Sequence, residues 1–368
     1  MLPRVRRKLK TPVCFVLAIF SIRYLYMYMA ADEGSASLER GVDTDLWPLE
    51  KITISEKYRA HFYRFLDPST FKIHKDAAWY PVRFMDLDWG AQSHEGLENI
   101  LAEQLRDERI SILPGGYFPR ASSKKGPQKY IPILIPYRNR LQNLISFLSY
   151  MYRYLQMKRN NYAMVVLEQM GNDSFNRAKL FNAGLRELGV DKHSYLSTNL
   201  SDCIIFHDVD KIPENTRTPY FCFSYPLQLL RVAVSMHSKR PSEGSHLQQS
   251  AEYEYYPGFF GGVTAVNRAA IIEVNGYSNC FRGWGGEDDD FRVRMELKNI
   301  KVRDIKKMYG RYYVLDHEAD QKINRRTKYL LKRKRALRRM NSDGIQQVKY
   351  ELVQRIIRPL YTLYQFKL

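Results

Sequence analysis

Cysteine is scarce, with four in 368 residues. Cys14 lies in an apolar run near the amino terminus, which leaves Cys203, Cys222 and Cys280 for everything beyond it. A densely cross-linked scaffold is thereby excluded. Cys203 and Cys222 flank a stretch rich in turn residues, so a bridge between them suits an oxidising compartment and leaves Cys280 unpaired. Acidic residues are also short, 39 against 58 Lys and Arg, for a formal charge of +19 and a pI near 9.6. That balance points to an anionic partner: nucleic acid, a phospholipid surface, a sulfated glycan or nucleotide phosphates. No internal repeat is present, which excludes a repeat array. Disorder is excluded by what is abundant, 45% hydrophobic and 13% aromatic residues, enough for a real core.

The amino terminus narrows the partner. "MLPRVRRKLK" carries five Lys or Arg residues, and "TPVCFVLAIFSIRYLYMYMAA" then runs apolar or aromatic from Thr11 to Ala31 with Arg23 as its interruption. This is about the ~20 residues that a bilayer-spanning helix needs, and the basic flank predicts a cytosolic amino terminus. The reading is a cytosolic tail at 1–11 and a single-pass type II signal anchor at 12–31. A signal peptide cleaved near Ala30 and Ala31 is the rival, and a buried amino-terminal helix the third reading. The apolar stretch exceeds a usual signal core and ends in Tyr and Met, which favours the anchor. The remainder is then lumenal, so nucleic acid is demoted as a partner. Acceptor patterns for N-glycosylation, "NDS" at Asn172 and "NLS" at Asn199, are usable in that compartment.

Residues 32–128 mix acidic, aromatic and Pro/Gly-containing pieces without sustained periodicity, and read as a stem and lead-in. Order rises after that. "YIPILIPYRNR" is a buried strand, "LQNLISFLSYMYRYLQ" has helical spacing, "NYAMVVLEQ" is a second strand, "FNRAKLFNAGLRELG" a helix ended by Gly189, and "DCIIFHDVD" a third strand. Strands alternating with amphipathic helices imply an α/β domain, 129–350, around a mostly parallel, doubly wound sheet. Residues 351–368 read as a carboxyl-terminal tail. Such sheets place ligands beyond the carboxyl ends of their strands.

Three clusters fall at those ends. In "FHDVD", strand alternation predicts Asp208 and Asp210 on one side with Val209 turned away, a pair able to hold a hard divalent cation or a ribose hydroxyl, or else to cap a neighbouring helix. In "PYRNR" and "FNR", Arg138, Arg140, Phe175, Asn176 and Arg177 offer guanidinium groups for phosphate, an amide, and a ring for base stacking. Separately each also reads as an ordinary surface arginine or a capping asparagine. The third is "RGWGGEDDD": Gly283, Gly285 and Gly286 around Trp284 suit a mobile loop, and the acids behind it suit sugar hydroxyls, a general base, or the first turn of a helix. The basic "KINRRTKYLLKRKRALRRM" reads as a solvated amphipathic helix or a steering surface for an anionic acceptor.

Taken in order, "IPYRNR", "FNRAKLFNAG", "FHDVDKIP", "FFGGVTAVNRAAIIEVNGYSN", "GWGGEDDD" and His317 resemble the animal β1,4-galactosyltransferases over residues 130–320. The resemblance implies a GT-A type, Rossmann-like nucleotide-sugar-binding domain. It implies an inverting, manganese-dependent (Mn2+), Golgi-membrane glycosyltransferase that uses UDP-galactose and a glycan acceptor on protein or lipid. Carried onto this chain, Pro136, Arg138, Arg140, Phe175, Arg177, Asp208, Val209 and Trp284 would contact the nucleotide sugar. Asp210 and His317 would ligate the metal, and Gly286, Glu287, Asp288 and Asp289 would bind acceptor, with Asp288 as the base. A family disulfide also stands at Cys203 and Cys222. Two positions depart from the pattern. Val314 stands where many members have a methionine ligand, and valine cannot coordinate a metal. Phe259 stands where galactose-specific members usually carry tyrosine; its bulk still favours galactose over N-acetylgalactosamine. The alternatives are a β1,4-N-acetylgalactosaminyltransferase using UDP-N-acetylgalactosamine, or a catalytically silent glycan-binding relative.

Overall fold

A period of two, rather than a helical stripe, organises the centre of the molecule. The structure, a computed structural model, describes residues 94–119, 129–190, 200–235, 252–283, 285–315 and 330–368. The expected anchor and tail at 1–31, most of the stem, Asn199, Trp284 and His317 lie outside the described residues. Among the described residues no helix is long and apolar enough to cross a membrane.

In chain order the elements begin with helix α1 (His94–Asp107), strands β1 (Tyr117–Phe118) and β2 (Tyr130–Tyr137), helix α2 (Leu141–Leu155) and strand β3 (Asn161–Gln169). Helix α3 (Arg177–Glu187) and strands β4 (Cys203–His207), β5 (Lys211–Pro213), β6 (Leu227–Gln228), β7 (Val232–Ser235), β8 (Glu252–Glu254) and β9 (Val263–Asn267) follow. The chain continues through α4 (Arg268–Glu273), α5 (Glu287–Leu297), β10 (Arg303–Asp304), β11 (Arg311–Val314), α6 (Arg333–Met340), β12 (Glu351–Ile357) and β13 (Thr362–Lys367).

Among the described residues the main sheet has nine strands, ordered β10-β6-β9-β4-β2-β3-β13-β12 with β1 pairing to β3, and β5-β11-β7-β8 form a second, smaller sheet. Its middle, β4-β2-β3-β13, is parallel. Antiparallel pairs flank that middle, β4 with β9, β6 with β9 and β12 with β13. The sheet is therefore mixed, not mostly parallel. Helices α2 and α3 supply crossovers between β2, β3 and β4, and a crossover is what a parallel pair requires. After β4 the chain enters the small sheet as β5, returns to the main sheet as β6, leaves again as β7 and β8, and re-enters as β9, antiparallel to β4.

Alternation along the central strands feeds two cores, as expected of strands covered on both faces. Ile131, Ile133 and Ile135 of β2 join Met164 and Val166 of β3 on the face covered by α1 and α2. Leu134, Val165, Leu167 and Phe206 face the other way, towards Phe181 of α3 and Phe291 and Met295 of α5. Pro132 and Pro136 remove two amide donors from β2, and its pairing with β4 spans only Ile133 and Leu134, between them.

Both ends of the expected domain change. Within the lead-in, Leu97, Leu101 and Leu105 recur on one face of α1 and are 0–1% exposed in the same core. At the other end, residues 351–368 are no tail: β13 lies inside the sheet, paired to β3 from Thr362 to Phe366, and β12 pairs along its outer edge. The disulfide between Cys203 and Cys222 is present, tying the start of β4 to the loop before β6.

Candidate active site

Helix α3 begins where it does because Asn176 caps it. The Asn176 side-chain oxygen accepts the Lys179 N–H at 2.8 Å, and its own N–H donates to Gln169 Oε1 at 2.8 Å. Arg177, the first helical residue, is thereby held at the carboxyl edge of the sheet with its guanidinium 4.8 Å from the centre of the Phe181 ring. Its Nε donates to Asp208 Oδ1 at 2.7 Å and its Nη1 to Asp288 Oδ1 at 2.5 Å, while Glu287 Oε1 stands 3.5 Å away. One guanidinium thus joins the acid after β4 to two acids at the start of α5.

The four acids of that run point to different partners, because successive residues of a helix step about 100° around its axis. Glu287 and Asp288 face Arg177. Asp289 accepts from Tyr256 Oη at 2.5 Å. Asp290 is fully buried and belongs to the scaffold, bonded to Arg294 Nε at 2.8 Å and Arg339 Nη2 at 2.6 Å. All four also lie at the positive end of the helix dipole.

Burial sets the chemistry of this group. Desolvation, opposed by Arg177 and reinforced by repulsion from Glu287 and Asp208, pushes the Asp288 carboxyl up to about 8. Glu287 is raised for the same leading reason. Glu287 Oε2 is buried and accepts no hydrogen bond within the described protein, so its lone pairs are open to a hydroxyl donor. Gly261 closes the other side of Asp288: a Cβ there would stand inside the van der Waals envelope of the Asp288 carboxylate. Beside it, the Gly262 carbonyl accepts the Asp208 N–H at 2.9 Å.

The remaining expected residues sort as follows. Arg138 Nη1 donates to the Asp173 carbonyl at 2.5 Å, and its guanidinium carbon lies 5.2 Å from the Phe175 ring centre, so those two form one unit. Arg140 is the residue before α2, without a side-chain cap bond. Pro136 is buried within β2, and Val209 is 3% exposed in the core, which leaves only its backbone for the site. Strand β4 closes at His207, so Asp208 and Asp210 follow the strand in a turn where its alternation no longer applies. They engage different cations: Asp208 binds Arg177, and Asp210 Oδ2 lies 2.8 Å from Lys211 Nζ. Burial alone disfavours that ammonium, but Asp210 overcomes it and the Lys211 pKa rises. Phe259 stacks on Tyr255 at 4.1 Å. The Gly283 N–H donates to the Phe175 carbonyl at 2.8 Å, and Gly286 takes φ 93° at the helix cap. Asn172 sits on an exposed segment after β3. Among the described residues no three His, Cys, Asp or Glu side chains form a metal cluster. Val314 pairs with Lys211 across β11 and β5, and the Leu315 N–H donates to the Asp210 carbonyl at 2.8 Å.

Three participants escaped the sequence reading. Gly261 carried a signal, the paired glycines of "FFGGVT". Tyr256 lies 33 residues from Asp289 with nothing local to mark it. The Lys211 pairing is with its own neighbour, which no periodicity reveals.

Residues 90–223 match the family model described as the N-terminal region of glycosyl transferase group 7, and residues 244–318 that of the N-terminal domain of galactosyltransferase. The β1,4-galactosyltransferase 4 of Mus musculus is 35% identical over 265 residues, which is 72% of this chain and 70% of that protein. Its Cricetulus griseus counterpart is 34% identical over 326 residues, 86% and 87% of the two chains. A Drosophila β1,4-galactosyltransferase 7 mutant, solved with manganese, UDP-galactose and xylobiose, superposes with a TM-score of 0.50 at 25% identity over 65% of this chain and 94% of that one. With an Arg177-linked acid cluster at the carboxyl edge of a mixed α/β sheet, and relatives of this coverage, the chain is a glycosyltransferase that belongs to the β1,4-galactosyltransferase family.

Proposed function

We propose that the chain transfers galactose from UDP-galactose, with inversion, to the 4-hydroxyl of a terminal N-acetylglucosamine or related sugar on glycoprotein or glycolipid. The observation that carries this reading is the Arg177 clasp, which couples Asp208 on the donor side to Asp288 on the acceptor side. Arg138 with Phe175, Arg140, Pro136 and the Val209 backbone are assigned to the nucleotide. Glu287, Asp289 and the Gly286 backbone are assigned to the acceptor, and Trp284 to closure over it.

Asp288 acts as general base. It takes the proton of the acceptor hydroxyl as that oxygen forms its bond to the anomeric carbon, and the bond from that carbon to the diphosphate oxygen breaks on the opposite face, its electron pair leaving with UDP. A carboxyl raised to about 8 is matched to accepting a proton near neutrality. The Asp210 carboxylate is a hard, buried oxygen donor, and with His317 it fits manganese(II). Held by these residues, it would supply positive charge for the diphosphate. Phe259, fixed by Tyr255, keeps a bulky ring at the donor-selecting position and supports galactose. We infer a Golgi type II arrangement, with residues 12–31 in the membrane, the catalytic domain lumenal and no nucleic-acid partner.

Release of UDP from UDP-galactose and from UDP-N-acetylgalactosamine, with N-acetylglucosamine as acceptor, tests the reading. Faster release from UDP-galactose is expected. Preference for the N-acetylated donor overturns the Phe259 argument, and acceptor binding without release from any UDP-sugar supports the silent glycan-binding alternative.

A further inference from the structure

The carboxylate assigned to the metal already has an organic cation on it. Lys211 Nζ lies 2.8 Å from Asp210 Oδ2, with side-chain exposures of 9% and 6%. Both charges are out of water, where an ion pair is held far more tightly than at the surface and where losing one partner strands the other. Lys211 is also fixed by its backbone. It opens β5, pairs with Val314 of β11, and its N–H donates to the Asp208 carbonyl at 3.2 Å. The ammonium is therefore delivered to Asp210 by the strand itself, and not by a long surface side chain that chances to reach it.

We propose that Lys211 is a resident counter-cation that occupies Asp210 in the metal-free protein and must leave that carboxylate for a divalent cation to bind. The proposal rests on Asp210 being a metal ligand, as in the function proposed above. A carboxylate oxygen accepting from an ammonium and ligating a divalent ion at once would bring two cations together in a desolvated pocket, which their mutual repulsion disfavours. Lys211 thus acts on the metal through Asp210 and is a positioning residue. It sets the metal concentration at which the enzyme loads. Val314, which offers no ligand atom where many members of the family have methionine, acts in the same direction.

The test is direct manganese binding to the full chain, by electron paramagnetic resonance of free Mn2+, for wild type, Lys211→Met and Lys211→Arg. Lys211→Met is expected to bind roughly tenfold tighter or better, equivalent to about 1.4 kcal/mol. Lys211→Arg, which keeps the charge, is expected to stay near wild type. A purely structural role for Lys211 lowers the melting temperature of Lys211→Met and leaves manganese affinity unchanged or weaker, and that result overturns the proposal. No manganese binding by either wild type or Lys211→Met overturns it as well. Lys211→Gln carries the same comparison where the methionine variant does not fold. UDP binding with manganese in excess, measured in parallel on wild type, reads the nucleotide site. Its loss indicts the functional reading, whereas retained UDP binding with unaltered manganese affinity indicts Lys211 alone.

Discussion

Asp288→Asn is expected to stabilise the ligand-free protein at neutral pH while removing transfer. The carboxyl has an ordinary value of 3.8 and is raised to about 8 in the folded chain, chiefly by burial. Below the unfolded value it is protonated in both states and contributes nothing that asparagine lacks. Between the two values the unfolded chain releases the proton and the folded chain retains it, so folding is penalised, and the penalty grows until pH passes the folded value. From 3.8 to pH 7 is about 3 units, and at about 1.4 kcal/mol each the ceiling is about 4 kcal/mol. Coupling to Glu287 and relaxation around Arg177 bring the expected net to on the order of 2 kcal/mol, or a rise in melting temperature of about 4–8 °C for a domain of this size. The asparagine oxygen can still accept from Arg177 Nη1, so the clasp to Asp208 survives. Differential scanning calorimetry from about pH 4 to pH 9 reads the effect. The gap between variant and wild type should open as pH rises from about 4 and flatten above about 8, while UDP release falls by about 10²–10⁴-fold. An equal or lower melting temperature at pH 7, or a gap that does not change with pH, refutes the account of Asp288 as a buried, penalised carboxyl.

Gly261→Ala should displace the Asp288 carboxylate it abuts, and turnover should drop about 100-fold with the far-ultraviolet circular dichroism unchanged. Tyr256→Phe removes the donor to Asp289 and should raise the acceptor KM about threefold to tenfold while kcat holds, in steady-state assays varying N-acetylglucosamine. Arg294→Met breaks a fully buried pair with Asp290 and should cost about 3–5 kcal/mol, seen as a lower midpoint in urea denaturation.

Much of the site was legible because its parts sit at strand ends, and strand ends can be read from apolar periodicity. Arg138, Phe175, Arg177 and Asp208 each follow a buried run, and the sheet brings those ends together. What joins them was not legible. That Arg177 reaches Asp288, 111 residues away, depends on how α5 docks beneath the edge. The sheet's outer strands were lost for a different reason. Six of the seven residues of β12 are exposed, so "ELVQRII" shows no buried face, and β13 reads as a fragment unless β3 is known to lie beside it. In α1 the leucines at 97, 101 and 105 do recur at helical spacing, but charged residues fill the positions around them and dilute the signal. The parallel run β4-β2-β3 was readable from its crossover helices; β13 and the antiparallel flanks were not.

The acidic run behind Trp284 shows why composition alone misleads in a chain carrying a formal charge of +19. A block of four acids suggests repulsion relieved by solvent, yet here a single turn of α5 deals them to separate cations and donors. Asp290 is consumed by the fold, neutralised by Arg294 and Arg339 at a point where no ligand can reach it. Asp289 is tied to a tyrosine. Only Glu287 and Asp288 share one guanidinium with a third acid, Asp208, and three carboxylates against one cation leave a surplus of negative charge in a buried place. Burial, reinforced by that surplus, keeps the Asp288 proton affinity high. The helix therefore separates the scaffold carboxylate from those we propose to react by angle, and the latter are the ones whose charge the protein leaves incompletely matched.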